Sequence, residues 1–245
     1  MSSAESTITT PGDIPTLSDL YAQDAIPPPE IPPAYPYDEA LNKKISIWRG
    51  DITLLKVNMI VNAANKSLLG GGGVDGAIHR AAGEELLDEC ETLGGADTGE
   101  TKLTQGYRLP AKYIAHTVGP VYSRSRVEQC ERQLESCYAS SLRLCSHHGG
   151  GSIGLCSIST GVYGYPLQDA TEIALETTRR YLETQGDKIS RVIFVVFSAR
   201  DEKCYRSTVP YFFPGKDEPT ATAKDEDKEL EVENSALSEQ RPLQA

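Results

Sequence analysis

The chain has 245 residues, 39% of them hydrophobic and 24% charged, which suits one sizeable core in a soluble globular protein. Its net charge of −11 sits at the ends: residues 1–40 hold seven acids and no base, residues 216–245 hold nine acids and four bases, and the middle is close to neutral. This argues against a basic field for unmodified nucleic acid, and no apolar run approaches the roughly 20 residues that span a bilayer.

The first residues lack both basic groups and an apolar stretch, so neither a secretory signal nor a transit peptide is expected, and a cytoplasmic or nuclear location follows. Residues 1–40 are rich in Pro and acids. The run Ile26–Tyr37, IPPPEIPPAYPY, has polyproline-II character, and the segment is expected to be a flexible extension. Short β-branched or aromatic runs at Ile45–Trp48, Met59–Asn62, Tyr113–Thr117, Ile153–Ser157 and Val192–Phe197 predict strands. Val192–Phe197 is apolar throughout, as a strand covered on both faces should be. Helical spacing links Ile78, Ala82, Leu86, Cys90 and Leu93 in one helix. It also links Val127, Cys130, Leu134, Cys137, Tyr138 and Leu142 in a second. Pro166 opens a third that Gly186 stops, and a fourth starts near Ala199–Asp201. Alternating strands and helices over 41–215 predict an α/β sandwich. Residues 216–245, charged and poor in aromatics, are expected to form a disordered tail.

The six cysteines form no C-x-x-C pair, and they are expected to be reduced and buried. Cys145, His147 and His148 suit no common zinc spacing, and no metal site is expected.

Open α/β sheets bind ligands at the carboxyl ends of their strands, and three such ends here carry chemistry. Gly50-Asp51-Ile52-Thr53 follows the first strand. Its carboxylate could accept from an exocyclic amine or cap a helix. Asn62-Ala63-Ala64-Asn65 leads into Gly70-Gly71-Gly72-Gly73-Val74-Asp75-Gly76. Asn amides suit sugar hydroxyls, and consecutive glycines let backbone N–H groups approach an anion. A helix starting near Gly76 would add its positive end, with Asp75 at that start and His79 four residues on, on the same face. The G-x-G-x-x-G match at Gly71–Gly76 lies too far beyond its strand for a dinucleotide fingerprint. Ser157-Ile158-Ser159-Thr160-Gly161-Val162-Tyr163-Gly164-Tyr165-Pro166 offers a second anion cradle before a helix, with Tyr163 placed to stack on a sugar and Tyr165 assigned to the core. The residues together point to a nucleotide diphosphate carrying two sugars.

These blocks, with Tyr107–Tyr113, His116–Pro120 and Val196–Asp201, resemble the macrodomain family over about 41–214, in particular its MacroD-type hydrolases. The resemblance implies a three-layer α/β/α sandwich with a mixed central sheet. It implies that Asp51 takes the adenine amine with Ile52 beside it, and that Phe197 lines the adenine pocket. Gly72, Gly73, Val74, Ser159, Thr160, Gly161, Val162 and Tyr163 would hold the diphosphate and distal ribose, with Asn62 also in contact. Asp75, His79 and Asn65 would serve turnover. The implied activity is hydrolysis of the ester at the distal ribose of ADP-ribose, on Asp or Glu side chains or in O-acetyl-ADP-ribose, by a monomer that needs no cofactor. A non-catalytic ADP-ribose reader and an ADP-ribose 1″-phosphate phosphatase are the rivals. A poly-ADP-ribose glycohydrolase would want adjacent acids, and the glycine loop offers only one.

Overall fold

The computed structural model describes residues 7–216. The tail expected over 216–245 therefore falls almost wholly outside the described residues. In chain order the elements are α1 (Leu17–Ala22), α2 (Glu39–Asn42), β1 (Ile45–Arg49), β2 (Met59–Ala64), α3 (Gly73–Ala82), α4 (Glu84–Thr92), β3 (Thr101–Gln105), β4 (Tyr113–Val118), α5 (Val127–His147), β5 (Gly151–Cys156), α6 (Leu167–Gln185), β6 (Ile189–Val196) and α7 (Ala199–Phe212). The six strands form one sheet in the order β1-β6-β5-β2-β4-β3. All pairs are parallel except β3 with β4, so the sheet is mixed, as expected.

Side-chain alternation along β4 shows the two helical layers. Thr117 lies on the α5 side, where Thr101 Oγ1 bonds both Thr117 Oγ1 and Ser140 Oγ. Its neighbour His116 lies on the other face, toward Cys90 of α4 and His79 of α3. The core runs through the sheet, with Val192–Val196 of β6 buried without a break.

Four expectations are corrected. β3 was not anticipated. Its TKLTQ sequence alternates poorly, and it is only partly buried; an edge strand of this kind owes its state to the ladder with β4 rather than to propensity. The helix expected to run through Ile78 and Leu93 is two helices. Gly83 breaks it at φ +96°, a conformation that glycine tolerates and side chains avoid. α3 begins at Gly73, not near Gly76, so Asp75 sits inside the first turn.

The fourth correction concerns the expected flexible extension, of which residues 7–40 lie among the described residues. Thr9 bridges to Leu55, and Ile14, Leu17, Leu20 and Ile26 are buried in the core. Tyr21 Oη donates to the Phe213 carbonyl at 2.8 Å. Arg179, 1% exposed, reaches the Pro36 carbonyl at 3.1 Å and the Phe212 carbonyl at 3.0 Å, and lies over the Tyr35 ring. Composition hid this because the anchoring apolar residues are spaced between prolines and acids.

Candidate functional site

Strand order assembles the site. β1, β6, β5 and β2 are consecutive and parallel. Their carboxyl ends therefore lie along one edge, and the segments that follow them fall in the order Asp51, Phe197, the 157–166 loop and the glycine loop. This is the crevice where open α/β sheets take ligands.

At the β1 end, Asp51 Oδ1 accepts from Thr53 N at 2.9 Å and Thr53 Oγ1 at 2.7 Å, capping a short 3-10 helix over Ile52–Leu54. The cap is thus real, and the Asp51 side chain is exposed as well. Ile52 is buried beneath it, so it shapes the wall from below rather than presenting a free face. Phe197 lies one residue past β6 and is 91% exposed. A lone exposed ring is ordinary in itself; this one stands at the strand end where a ligand lying along the edge would cover it.

In the 157–166 loop, Ser159 holds φ +64° and is buried. Its carbonyl accepts from Tyr165 N at 3.0 Å, which closes the turn. Its Oγ is buried without a partner, and it packs so closely on Gly119 that a Cβ there would come within 2.2 Å of it. Thr160 Oγ1 donates to the Ser157 carbonyl. Gly161 and Val162 form the exposed tip. Tyr163 is half-buried and its carbonyl accepts from Tyr122 N at 2.9 Å. Tyr165 is in the core, as expected.

At the β2 end, Asn65 shapes the glycine loop. Its Oδ1 accepts from Ser67 N and Oγ at 2.9 and 2.6 Å, and its Nδ2 donates to the Gly70 carbonyl at 2.7 Å. Gly70 and Gly73 adopt φ of +82° and +61°. Gly72 and Gly73 face open space, where an added Cβ would meet nothing within 4 Å. Gly76 is required for another reason: a Cβ there would lie 2.2 Å from the Gly71 carbonyl oxygen. The loop folds back on the first turn of α3 only because that position carries hydrogen. Val74 is partly buried beside it.

Beneath this loop lies Asp75, 3% exposed. Its Oδ1 accepts from Asn62 Nδ2 at 2.8 Å and stands 3.5 Å from His79 Nε2, at the limit of bonding distance and outside bonding geometry, so His79 Nε2 has no hydrogen-bond partner. Its Oδ2 faces the loop, 3.1 Å from where a Gly71 Cβ would sit. Burial raises the carboxyl pKa above the ordinary aspartate range, and the Asn62 hydrogen bond and then His79 oppose that shift. The His79 ring lies against Gly70.

Asn62 is not where the sequence placed it. It is fully buried, with no surface for a ribose, and its amide also lies 3.0 Å from His116 Nδ1. His116 Nε2 is 2.8 Å from Thr104 Oγ1 and 3.9 Å from Cys90 Sγ. His116 and Thr104 received no role from sequence reasoning. The available signal was an imidazole in a strand of apolar and small residues, in direct register with Asn62 of β2. Burial, followed by the neighbouring His79, drives the His116 pKa down to about 3, so the ring is neutral.

His79, Cys90 and His116 could be imagined around a metal ion. The network opposes that arrangement: Thr104 lies on His116 Nε2 and Asn62 on Nδ1, which leaves the ring no lone pair to give. Cys145, His147 and His148 do not converge either. Cys145 is buried with its thiol on the Gly150 carbonyl, while the two histidines are exposed. Among the described residues, no helix is long and apolar enough to cross a membrane.

The family profile described as Macro domain matches residues 61–174, from β2 into α6. The chain is 53% identical over 182 residues to mouse (Mus musculus) ADP-ribose glycohydrolase MACROD1, covering 74% of this chain and 56% of that protein. The chain thus spans little more than half the length of that curated relative. It is 52% identical over 168 residues to a macro domain-containing protein of Chlorobaculum tepidum, covering 69% of this chain and 96% of that one. Among solved structures, the Trypanosoma brucei macrodomain in complex with ADP-ribose superposes with a TM-score of 0.66 at 46% identity, covering 78% of this chain and 83% of that one. Sheet order, glycine loop and these likenesses agree: the chain belongs to the macrodomain family.

Proposed function

We propose that this chain binds ADP-ribose along the β1-β6-β5-β2 edge and hydrolyses the ester at its distal ribose, releasing ADP-ribose from Asp or Glu side chains and acetate from O-acetyl-ADP-ribose. The name of the mouse relative and the ligand of the trypanosomal structure support the reading. An ester joining a carboxylate to the anomeric carbon is also a glycosyl bond, so for ADP-ribose on Asp or Glu a glycohydrolase name and an ester substrate agree, whereas an acetyl ester on a ribose hydroxyl is an ester only.

The observation that carries the proposal is the Asp75 carboxylate, buried beneath a glycine loop at a helix start. A pure reader needs the loop and the helix end to hold a diphosphate. It has no use for a carboxylate fixed there by a buried amide, which only adds negative charge beside the ligand. In the proposed reaction Asp75 orients the attacking water and takes its proton, the loops fix the diphosphate and so the water's position, and Asn65 shapes the wall around the ribose. His79 packs between Gly70 and Asp75 and holds the loop over the carboxylate.

The test is release of ADP-ribose from an auto-modified transferase by wild type and by Asp75→Ala, with ADP-ribose binding measured in parallel. Release by wild type alone, with binding by both, is expected. Binding by wild type without release makes the chain a reader. Faster release of phosphate from ADP-ribose 1″-phosphate than of ADP-ribose from protein makes it a phosphatase.

A further inference from the structure

Beneath the pocket floor lies a chain of buried polar groups in which every hydrogen can be assigned. Asn62 Nδ2 carries two hydrogens and sits 2.8 Å from Asp75 Oδ1 and 3.0 Å from His116 Nδ1. One N–H therefore goes to each, and His116 Nδ1 must be the unprotonated, accepting nitrogen. The single ring proton is then on Nε2, and Thr104 Oγ1 at 2.8 Å accepts it. Thr104 in turn donates its own hydrogen to the Gln105 carbonyl at 3.2 Å. Donors and acceptors alternate from a β3 backbone carbonyl to the carboxylate, and the one group left unmet is Asn62 Oδ1, buried without a partner. Asn62, Thr104 and His116 are at most 1% exposed, so water does not compete.

Turning the Asn62 amide over would bring its oxygen to within 2.8 Å of Asp75 Oδ1, oxygen against oxygen, and would require a proton on His116 Nδ1. The tautomer of one residue thus sets which face of the amide meets the carboxylate. We propose that His116 is a positioning residue for Asp75: its Nε2–H tautomer, anchored by Thr104, locks the Asn62 amide so that the Asp75 carboxylate is held with Oδ2 toward the glycine loop. His116 never touches substrate. The groups that face it are Asn62 from β2, Thr104 from β3, His79 from α3 and Cys90 from α4, with Asp75 one bond further on. The consequence for turnover rests on the hydrolase reading given above; the tautomer does not.

The experiment compares His116→Gln, His116→Asn and Thr104→Val with wild type. Asn places an oxygen near the position of Nδ1 and keeps an acceptor for Asn62; Gln reaches toward Nε2 and loses it. In wild type, side-chain 15N shifts should show a bare Nδ1 and a protonated Nε2. His116→Gln should lower kcat by about 10- to 100-fold while ADP-ribose Kd stays within about 2-fold, since a small misplacement of a reacting group costs rate before it costs binding. It should also move the acid limb of kcat/KM upward, because the carboxylate loses its donor. His116→Asn should recover most of the rate even though it is the smaller side chain and leaves the larger cavity.

Equal losses in both variants that follow thermal stability, an unmoved acid limb, or a protonated Nδ1 in wild type would each overturn the proposal. Should both His116 variants fail to fold, Thr104→Val, nearly isosteric, is decisive: its Nε2 loses the acceptor, so a fall in kcat with unchanged Kd supports the lock and wild-type kcat refutes it. If wild type itself proves inactive, the hydrolase reading fails alone. The 15N tautomer and the titration of the Asp75 carboxyl carbon, both read without substrate, then still decide whether His116 orders the chain.

Discussion

The two ends of the binding edge are built on opposite plans. At the β1–β6 end the groups that would meet a ligand stand in solvent: Phe197 is 91% exposed, and Asp51 is an exposed carboxylate already serving as a cap. At the β2–β4 end the important groups are out of sight. Asp75 is 3% exposed, and behind it Asn62, His116 and Thr104 form a dry hydrogen-bonded line. An exposed ring contributes affinity by being covered and tolerates small displacements. A carboxylate that aims a water molecule, as proposed for Asp75, tolerates none, and burial against a fixed hydrogen-bond donor is how a protein removes its freedom.

The contrast can be broken by experiment. The largest effect is expected from Asp75→Ala, which should lower kcat by about 100-fold or more, as for loss of a general base, with ADP-ribose Kd from calorimetry little changed; a parallel loss of both would erase the division of labour. Gly76→Ala comes next. Its Cβ would sit 2.2 Å from the Gly71 carbonyl, so the loop must lift from α3, and a stability loss of about 1–3 kcal/mol in urea unfolding is expected, typical of overpacking, together with weaker ADP-ribose binding.

Acid should test the buried end through His116. Unfolded, the imidazole protonates near about 6.5; folded, only near about 3. Between these values the unfolded state binds the extra proton, so stability is lost as pH falls through that window and recovers as pH rises. His116→Leu should flatten this slope in denaturant titrations between those limits, whatever it does to stability at neutral pH. The smallest effect is expected at the open end: Phe197→Ala should weaken ADP-ribose about 10-fold, the scale of a lost base–aromatic stack, and leave kcat for saturating substrate unchanged.

Much of the frame was legible because each central strand is an apolar run of its own. Four of the five expected strands overlap the observed ones to within two residues at either end, and the α/β sandwich follows from their alternation with helices; the third layer and the mixed sheet came from the family resemblance. The glycine loop, Asp75 and His79 announced themselves by local pattern. Asn62 was seen but given the wrong surroundings: sequence shows an amide near a loop, while its burial depends on β4, some fifty residues away, supplying His116 opposite it. Thr104 could not be found at all without β3, whose polar sequence carries no strand signal of its own. The break at Gly83 was hidden by apolar spacing that continues across it, since two helices meeting at one residue preserve the same stripe.

Arg179 has a consequence for where the folded unit begins. Its guanidinium donates to Glu183 Oε1 at 2.7 Å and is covered from two sides: by the Pro36 carbonyl and the Tyr35 ring, which precede the first strand, and by the Phe212 carbonyl and Phe213 ring, which follow the last. A chain cut at residue 41, the boundary that composition alone suggests, would remove the Pro36 carbonyl and the Tyr35 ring and leave Glu183 and the Phe212 carbonyl alone to accept from the guanidinium, at a cost in stability. The proline-rich stretch is thus a cover on an ion pair, and any form of this protein that keeps the pair covered has to include it.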